Sequence, residues 1–495
     1  MKEMLKKIKE KDIDIFVFLL VTITVIAFER TLSAYDELWN FSNTYKMTIG
    51  FKIYTDLNVI ITPLFFYIGY IFLKLLGANF LSYTIYNIIT EVVLFMLIFK
   101  LFKLLKIKRR RCILYTICIL WAFMDIIRAG ANYNRLVYIP ILITTILLIK
   151  KKSNPYILGI LTLIIFLIKQ NVGVYVGSGI LAYILLVQKI NTKEKIKNII
   201  KMGVTFILLL FMFLMGLYLD NNLYPFLDCT FLGVSEFGAN NFWINWIMIT
   251  YLALALFIII VNIFAIKSSK IELDSDIKYN IKTILCIGVP LTLTTFPIFN
   301  AFHMFMGLLI LIIEFIYLIE TTFISEIFNN RKTEKIIVGI VIILFLGHIS
   351  VYAYIYANEI RNKNCSIIAD KNSPYYGVMC DEKLKKEIET VCKFIQENNQ
   401  NSIDVKVLSY KANLYMVPLN KNNNIYDLPN LGNLGKKGED GLIEEIKQMK
   451  NTKILIQTNE EDIFWQESKK VRKYIQENYI KEGTIEDFDI YYIHW

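Results

Sequence analysis

The sequence predicts a polytopic α-helical membrane protein with a small α/β domain at its C-terminal end. Three observations lead there. Hydrophobic residues make up 55% of the 495 residues, above the roughly 45–50% of soluble domains, and they gather in repeated uncharged runs of about 20, the length that crosses a bilayer. Lys and Arg concentrate in short blocks between those runs. After Tyr356 the chain turns polar and rich in Asn, Lys and Glu.

The charge pattern orients the chain. Its net charge of +11 is held largely in blocks at 106–111, 150–152, 189–201, 267–282 and 331–335. Blocks of this kind between apolar spans follow the positive-inside rule, which places them on the cytoplasmic side and argues against a nucleic-acid patch. The N-terminal MKEMLKKIKEKD is a basic flank to a first span near 13–27, and no small-residue cleavage site precedes Asp36, so the reading is a retained helix with its N-terminus inside.

Residues 60–76 are apolar, but a span there would carry the basic block at 106–111 to the outside. The conflict disappears if 60–76 lies along the outer interface, where Lys74 can snorkel, and 83–102 is the second span. Further spans then follow near 112–127, 136–149, 155–168, 172–188, 203–219, 245–265, 283–299, 302–320 and 336–356. About eleven spans from an inside start leave loops 34–82, 128–135, 169–171, 220–244 and the turn at 300–303 outside, together with everything after Tyr356. The chain thus divides into a membrane domain, 1–356, and an extracytoplasmic α/β domain, 357–495. In the latter, 381–398, 439–450 and 462–483 have helical periodicity, and VKVLSY, KILIQT and FDIYYIHW have the short alternation of strands.

Cysteines contribute little. Cys112, Cys118 and Cys286 fall in apolar spans, where thiols act as small hydrophobes. Cys229, Cys365, Cys380 and Cys392 lie in expected external segments without a readable pairing. No CxxC or His cluster suggests structural zinc.

The chemistry concentrates in the first loop, YDELWNFSNTYKMTIGFKIYTDLNVIITPLFFYIGYIFLKLLG. Asp36, Glu37 and Asp56 are carboxylates beside a bilayer, costly unless they meet water, cations or a reaction. Asp36 and Glu37 are adjacent, so on a helix they diverge by about 100° and serve different roles. The plain alternative is three solvated loop acids.

An acidic pair after the first helix, then Gly50, Tyr54, Asp56, Asn58, Pro63, an aromatic run and Gly77, resembles the GT-C glycosyltransferases. These membrane enzymes use polyprenyl-phosphate sugars and include protein O-mannosyltransferases and lipid A aminoarabinose transferases. Trp39 and Tyr67 belong to the same match. The resemblance covers the first loop, and more loosely the helix count and the external C-terminal domain. It implies an inverting transfer from a polyprenyl-phosphate sugar in a bacterial cytoplasmic membrane to an extracytoplasmic glycan, lipid or protein. In such a reaction Asp36 accepts the proton of an acceptor hydroxyl, a poor nucleophile at neutral pH. Glu37 and Asp56 shape the catalytic site, and Trp39, Tyr54 and Asn58 line it for substrate. Metal use varies in that family, so the resemblance admits a divalent cation at Glu37 without requiring one.

A lipid-phosphate leaving group calls for positive charge nearby. Arg128 and Arg135 flank AGANYN, Lys169 and Gln170 occupy the turn IKQNVG, and His303 lies in FPIFNAFHMF, a turn that again resembles the family's lipid-phosphate region. For each one the plain alternative is an interfacial side chain, but together they lie on the side opposite the basic blocks. Many relatives carry an aspartate where this chain has Asn134; Asp125 is a substitute, or else the partner of Arg128 about one turn away.

Loop 220–244 is aromatic, either an interfacial belt or a lid over the donor site, and its Asp228 and Glu236 are suited to a sugar hydroxyl or amine. NLGNLGKKGEDG in the terminal domain fits no phosphate-loop spacing and is read as a plain loop, in a domain that guides the acceptor or caps the cavity. Two rival readings remain: a transporter or lipid-linked glycan flippase, which places ionisable groups such as Glu91 and Glu314 deep in the spans, and a glycan polymerase using a diphosphate-linked donor.

Overall fold

A computed structural model describes residues 15–24, 26, 32, 36–123, 130–234, 238, 242, 244–268, 273–324, 331–423, 434–459 and 467–493. It is 71% helical, with a small sheet domain at the C-terminal end. In chain order the helices are α1 (Ile15–Thr24), α2 (Asp36–Thr48), α3 (Leu64–Leu76), α4 (Phe80–Leu104), α5 (Arg109–Ala122), α6 (Tyr133–Leu136), α7 (Tyr138–Ile149), α8 (Pro155–Ile168), α9 (Gln170–Leu186), α10 (Thr192–Leu219) and α11 (Leu223–Leu227). A π-helical turn, Asp228–Leu232, follows α11. Then come α12 (Trp246–Lys267), α13 (Ser275–Leu291), α14 (Ala301–Ile319) and α15 (Arg331–Asn362).

Asparagine does much of the helix-starting. Asn79, Asn154, Asn191, Asn245 and Asn300 each accept a backbone N–H at the first turn of α4, α8, α10, α12 and α14. That satisfies a donor the helix itself leaves orphaned, which is why short polar side chains favour this position.

Among the described residues, five helical segments are long and apolar enough to cross a membrane: Phe80–Leu104, Thr192–Leu219, Trp246–Lys267, Ala301–Thr322 and Gly339–Asn362. α10, α12 and α15 expose large apolar side chains such as Phe211, Met212, Phe257, Phe264 and Ile343. Water does not tolerate apolar faces of that extent on a monomeric soluble protein, whereas lipid does. The chain therefore has the character of a membrane protein.

Several expectations change in detail. The helical span expected over 283–299 stops at Leu291, where Pro290 lies in the last turn and a tight 3₁₀ turn, Thr292–Thr295, takes over. The block at 189–201, read as a loop, is mostly the start of α10. The first loop is also not simply solvated. α2 is polar on average, yet Leu38, Asn40, Phe41, Thr44 and Lys46 are all buried in it. It packs against α3, where Gly69 approaches Thr44 so closely that a Cβ would sit 2.9 Å from its methyl group. α3 has 13 residues, about 20 Å of helix and short of an apolar core about 30 Å thick.

The C-terminal domain comprises a β1 (Ser366–Ile367) and β2 (Met379–Cys380) pair, α16 (Glu382–Gln400), β3 (Asp404–Val407), α17 (Ala412–Met416), α18 (Gly438–Gln448), β4 (Thr452–Gln457), α19 (Lys469–Asn478), β5 (Ile480–Ile485) and β6 (Phe488–Ile493). The larger sheet runs β3-β4-β6-β5, with β3 parallel to β4 and the other pairs antiparallel. The helix expected over 462–483 ends at Asn478, because 480–485 pairs with β6 as an edge strand. Ile446, Ile454, Val471, Ile475 and Ile493 form the core between sheet and helices.

This domain sits on the end of the bundle that carries α2. Phe80 N–H donates to the Pro374 carbonyl (2.7 Å) and Leu81 N–H to that of Tyr376 (3.1 Å). Lys46, fully buried, reaches Asn413 (2.9 Å) and Asn422 (3.2 Å), and Tyr45 donates to Asn420 (2.6 Å).

Candidate functional site

A cavity of about 860 Å³ opens among the helices. Its walls come from five places in the chain: Ile60 and Ile61 before α3, Tyr133 in α6, Phe166 to Tyr175 around the α8–α9 turn, the stretch from Thr230 to Phe242, and Thr294 to His303. Most of this lining is apolar. Phe166 stacks on Phe231 (6.4 Å between ring centres) and Phe242 leans on Phe296 (5.5 Å). The polar groups are Lys169, Gln170, Asn171, Tyr133, His303 and three threonines, Thr230, Thr294 and Thr295. An apolar cavity with a few convergent polar groups is the usual form of a small-molecule site.

Lys169 is the cation of this cavity. It occupies the turn between α8 and α9 in extended conformation (φ −153°), so α8 ends and α9 begins around it. Its ammonium donates to Asn134 Oδ1 (2.6 Å) and lies 5.6 Å over the Tyr133 ring. Both partners are neutral, and burial brings the Lys169 pKa down to about 8. A desolvated ammonium gains by meeting an anion. His303, in the first turn of α14, feels the Lys169 charge, and its ring is held by Asn300 Oδ1 (2.9 Å). Gln170 has its amide direction set: Nε2 donates to the carbonyls of Ile60 (3.0 Å) and Thr230 (3.1 Å).

Of the first-loop acids, Asp36 is the one tied to this polar group. Asp36 opens α2 with its side chain accessible, yet the surrounding protein desolvates the carboxyl and raises its pKa. Desolvation, and then the charge of Asp36, raises the Tyr133 pKa, which sets Asp36 near Tyr133 in the wall that Lys169 and His303 also line. Glu37 points the other way, as adjacent helical residues must. It is buried beneath Gly130, where a Cβ would fall 2.1 Å from its carboxyl carbon. Gly130 has φ +66°, and the Ala131 carbonyl after it accepts from Asn40 and Tyr83, both at 3.2 Å. Glycine is required there for both reasons.

Other expected site residues have structural partners elsewhere. Arg135 is fully buried and ion-paired with Glu91 at 2.8 Å, with Asn87 at 3.3 Å; it is not a cavity residue. Asp56 closes a turn, accepting the Lys52 N–H (2.6 Å), while its own N–H returns to the Lys52 carbonyl (2.9 Å). Tyr54 is buried with φ +71° and donates to the Ile61 carbonyl (2.8 Å), so it shapes the segment leading to the cavity wall. Asn58 is buried next to Cys229, whose thiol points at its oxygen (3.6 Å). Trp39 packs edge-on against Phe66 (5.8 Å). Asn134 supports Lys169 as above. Arg128, Asp125 and Glu236 lie outside the described residues, and Asp228 is held by the C-terminal domain. All seven cysteines are free.

The sequence reading missed Tyr133 beside Lys169, and missed the lining at 294–298, two threonines followed by Phe296, Pro297 and Ile298. Nothing local marks these residues, because they meet only when α6, α8 and α14 pack together. Comparison with family models, curated proteins and solved structures finds no match.

Proposed function

We propose that this chain is a membrane glycosyltransferase of the GT-C type. It transfers a sugar from a polyprenyl phosphate to an acceptor outside a bacterial cytoplasmic membrane, with an inverting displacement at the sugar carbon. The observation that carries this reading is the cavity itself: an apolar volume of about 860 Å³ whose polar groups include Lys169 and His303, with Asp36 close enough to act on Tyr133 in its wall. An isoprenoid tail suits the apolar walls and a phosphate suits Lys169. Asp36, its pKa raised by the surrounding protein's desolvation of the carboxyl, is better matched to accepting a proton than an ordinary carboxylate is. In this reading the hydroxyl proton passes to Asp36 as the acceptor oxygen bonds to the sugar, and the C–O bond to the phosphate breaks with Lys169 beside the leaving oxygen. About eleven spans, an inside N-terminus and an outside C-terminal domain belong to the same proposal. A divalent cation is not needed for these steps.

The direct test uses purified protein in nanodiscs with a radiolabelled polyprenyl-phosphate sugar. Release of free polyprenyl phosphate, abolished by Asp36→Asn with folding intact, is the expected outcome. Substantial turnover by Asp36→Asn would sink the assignment. A second reading, a lipid-linked carrier or flippase, is favoured by the buried Arg135–Glu91 pair within the helical bundle. It predicts translocation in proteoliposomes with the lipid chemically unchanged.

A further inference from the structure

Among the described residues, the C-terminal domain meets the cavity wall at a tight joint. The cavity's outer wall includes the turn Asp228–Leu232 and the residues just after it, with Thr230, Phe231 and Val234 in the lining. The turn is π-helical, a local widening often found at functional sites. On its inner side it is tied to the site: the Thr230 carbonyl accepts from Gln170 Nε2, and Cys229 lies against Asn58. On its outer side it is tied to the C-terminal domain. Asp228 Oδ1 accepts the backbone N–H of Lys436 (3.0 Å), and Gly233 comes so close to Gly435 that a Cβ on Gly233 would sit 2.8 Å from the Gly435 backbone.

Gly435 is the only residue type that fits this position. Its φ is +62°, and a Cβ there would fall 2.3 Å from Asp228 Oδ2. Leu434 beside it is buried in the domain's own core, so the joint is fixed to the domain and does not float on a loop tip. The domain is also attached elsewhere, through Lys46, Tyr45 and the start of α4. The Asp228–Gly435 joint is therefore not what holds the domain on. What it contacts is the back of the cavity wall.

We propose that Asp228 and Gly435 are positioning residues, through which the C-terminal domain holds the 228–234 wall, and with it Gln170, in place over the cavity. Movement of the domain is then passed to the cavity along a short route: Lys436 N–H to Asp228, Asp228 through the π-helical turn to Thr230, and Thr230 to Gln170 beside Lys169. This reasoning uses the geometry of the wall and does not depend on the ligand being a lipid-linked sugar.

Cys229 supplies the probe. It lies in the turn at 4% exposure, and burial pushes its thiol up to about 12, so in the closed wall it is doubly protected from a reagent that attacks thiolate. The experiment uses the full chain in nanodiscs with the other six cysteines replaced, and follows labelling of Cys229 by a charged maleimide. Asp228→Ala and Gly435→Ala should each accelerate labelling by about tenfold or more, as local opening becomes frequent. Asp228→Asn keeps an acceptor oxygen for Lys436 and should stay within about twofold of the parent. Unchanged labelling in both disruptive variants overturns the proposal. So does acceleration by Asp228→Asn equal to that of Asp228→Ala, which would mean the carboxylate acts other than through this hydrogen bond. Labelling needs neither substrate nor turnover, so its failure is separate from any failure of the transfer reading.

Discussion

Arg135 and Lys169 are cations in contact with the same short helix, α6, and they have opposite fates. Arg135 belongs to α6 and turns into the bundle, where Glu91 neutralises it at 2.8 Å in full burial. Lys169 reaches α6 from the next turn and, among the described residues, meets the neutral Asn134 and the face of Tyr133. A buried charge with an opposite charge is satisfied and serves as structure. A desolvated charge given only neutral partners keeps its attraction for an anion. The difference shows which of two similar cations in a sequence can serve a ligand: the one whose neighbours leave its charge uncompensated.

Removing Arg135 should break the comparison most severely. Arg135→Ala leaves Glu91 buried without its partner, and an expected loss of about 3–5 kcal/mol follows from the cost of an uncompensated charge. Thermal unfolding measures it, and a double replacement by apolar residues, Arg135→Met with Glu91→Leu, should recover most of the loss. If Arg135→Ala unfolds like wild type but no longer binds lipid phosphate, the contrast drawn here is reversed.

Lys169→Met should do the converse. Stability changes little or improves slightly, because a desolvated cation is replaced by an apolar chain of similar length. Binding of a polyprenyl phosphate, followed by titration in nanodiscs, should weaken by about tenfold to a hundredfold, the range of one lost charge-assisted hydrogen bond. Equal affinity in the variant would remove Lys169 from the site.

The pH dependence sharpens the same point. With its pKa lowered to about 8, Lys169 is cationic below that value and loses its charge above it. Affinity for the lipid phosphate should therefore hold from pH 6 to 7 and decline as pH rises through about 8, and Lys169→Met should abolish this decline. The smallest effect belongs to Asn134→Ala, which removes the oxygen that aims the ammonium (2.6 Å). A loss of affinity of a few fold is expected, about 0.5–1.5 kcal/mol for one hydrogen bond. No change would mean that Lys169 is held by Tyr133 alone.

Much of the fold was legible before any coordinates. Hydropathy marks the apolar helices, and the change after Tyr356 marks the polar domain, because both are properties of a stretch of chain and its nearest neighbours in sequence. The same locality explains the errors. Residues 480–485 extend a helical pattern but become a strand, since pairing with β6 is a distant interaction. Residues 292–299 are as apolar as a helix requires, and yet the helix ends at Leu291, before a 3₁₀ turn that borders the cavity. α2 reads as part of an external loop because its average hydropathy is low. It is buried because α3 and the C-terminal domain cover it.

The sequence by itself determined that the chain is membrane-like, where its apolar helices run, and that acids and cations flank the same set of turns. Only the tertiary structure decided which of them meet. It set Lys169, Gln170 and His303 around one cavity beside Asp36, paired Arg135 away with Glu91, and used Asp56 to close a turn. The reason is physical: hydropathy and helix capping act over a few residues, whereas compensation of a charge depends on whichever group packing brings within a few ångströms, from anywhere in the chain.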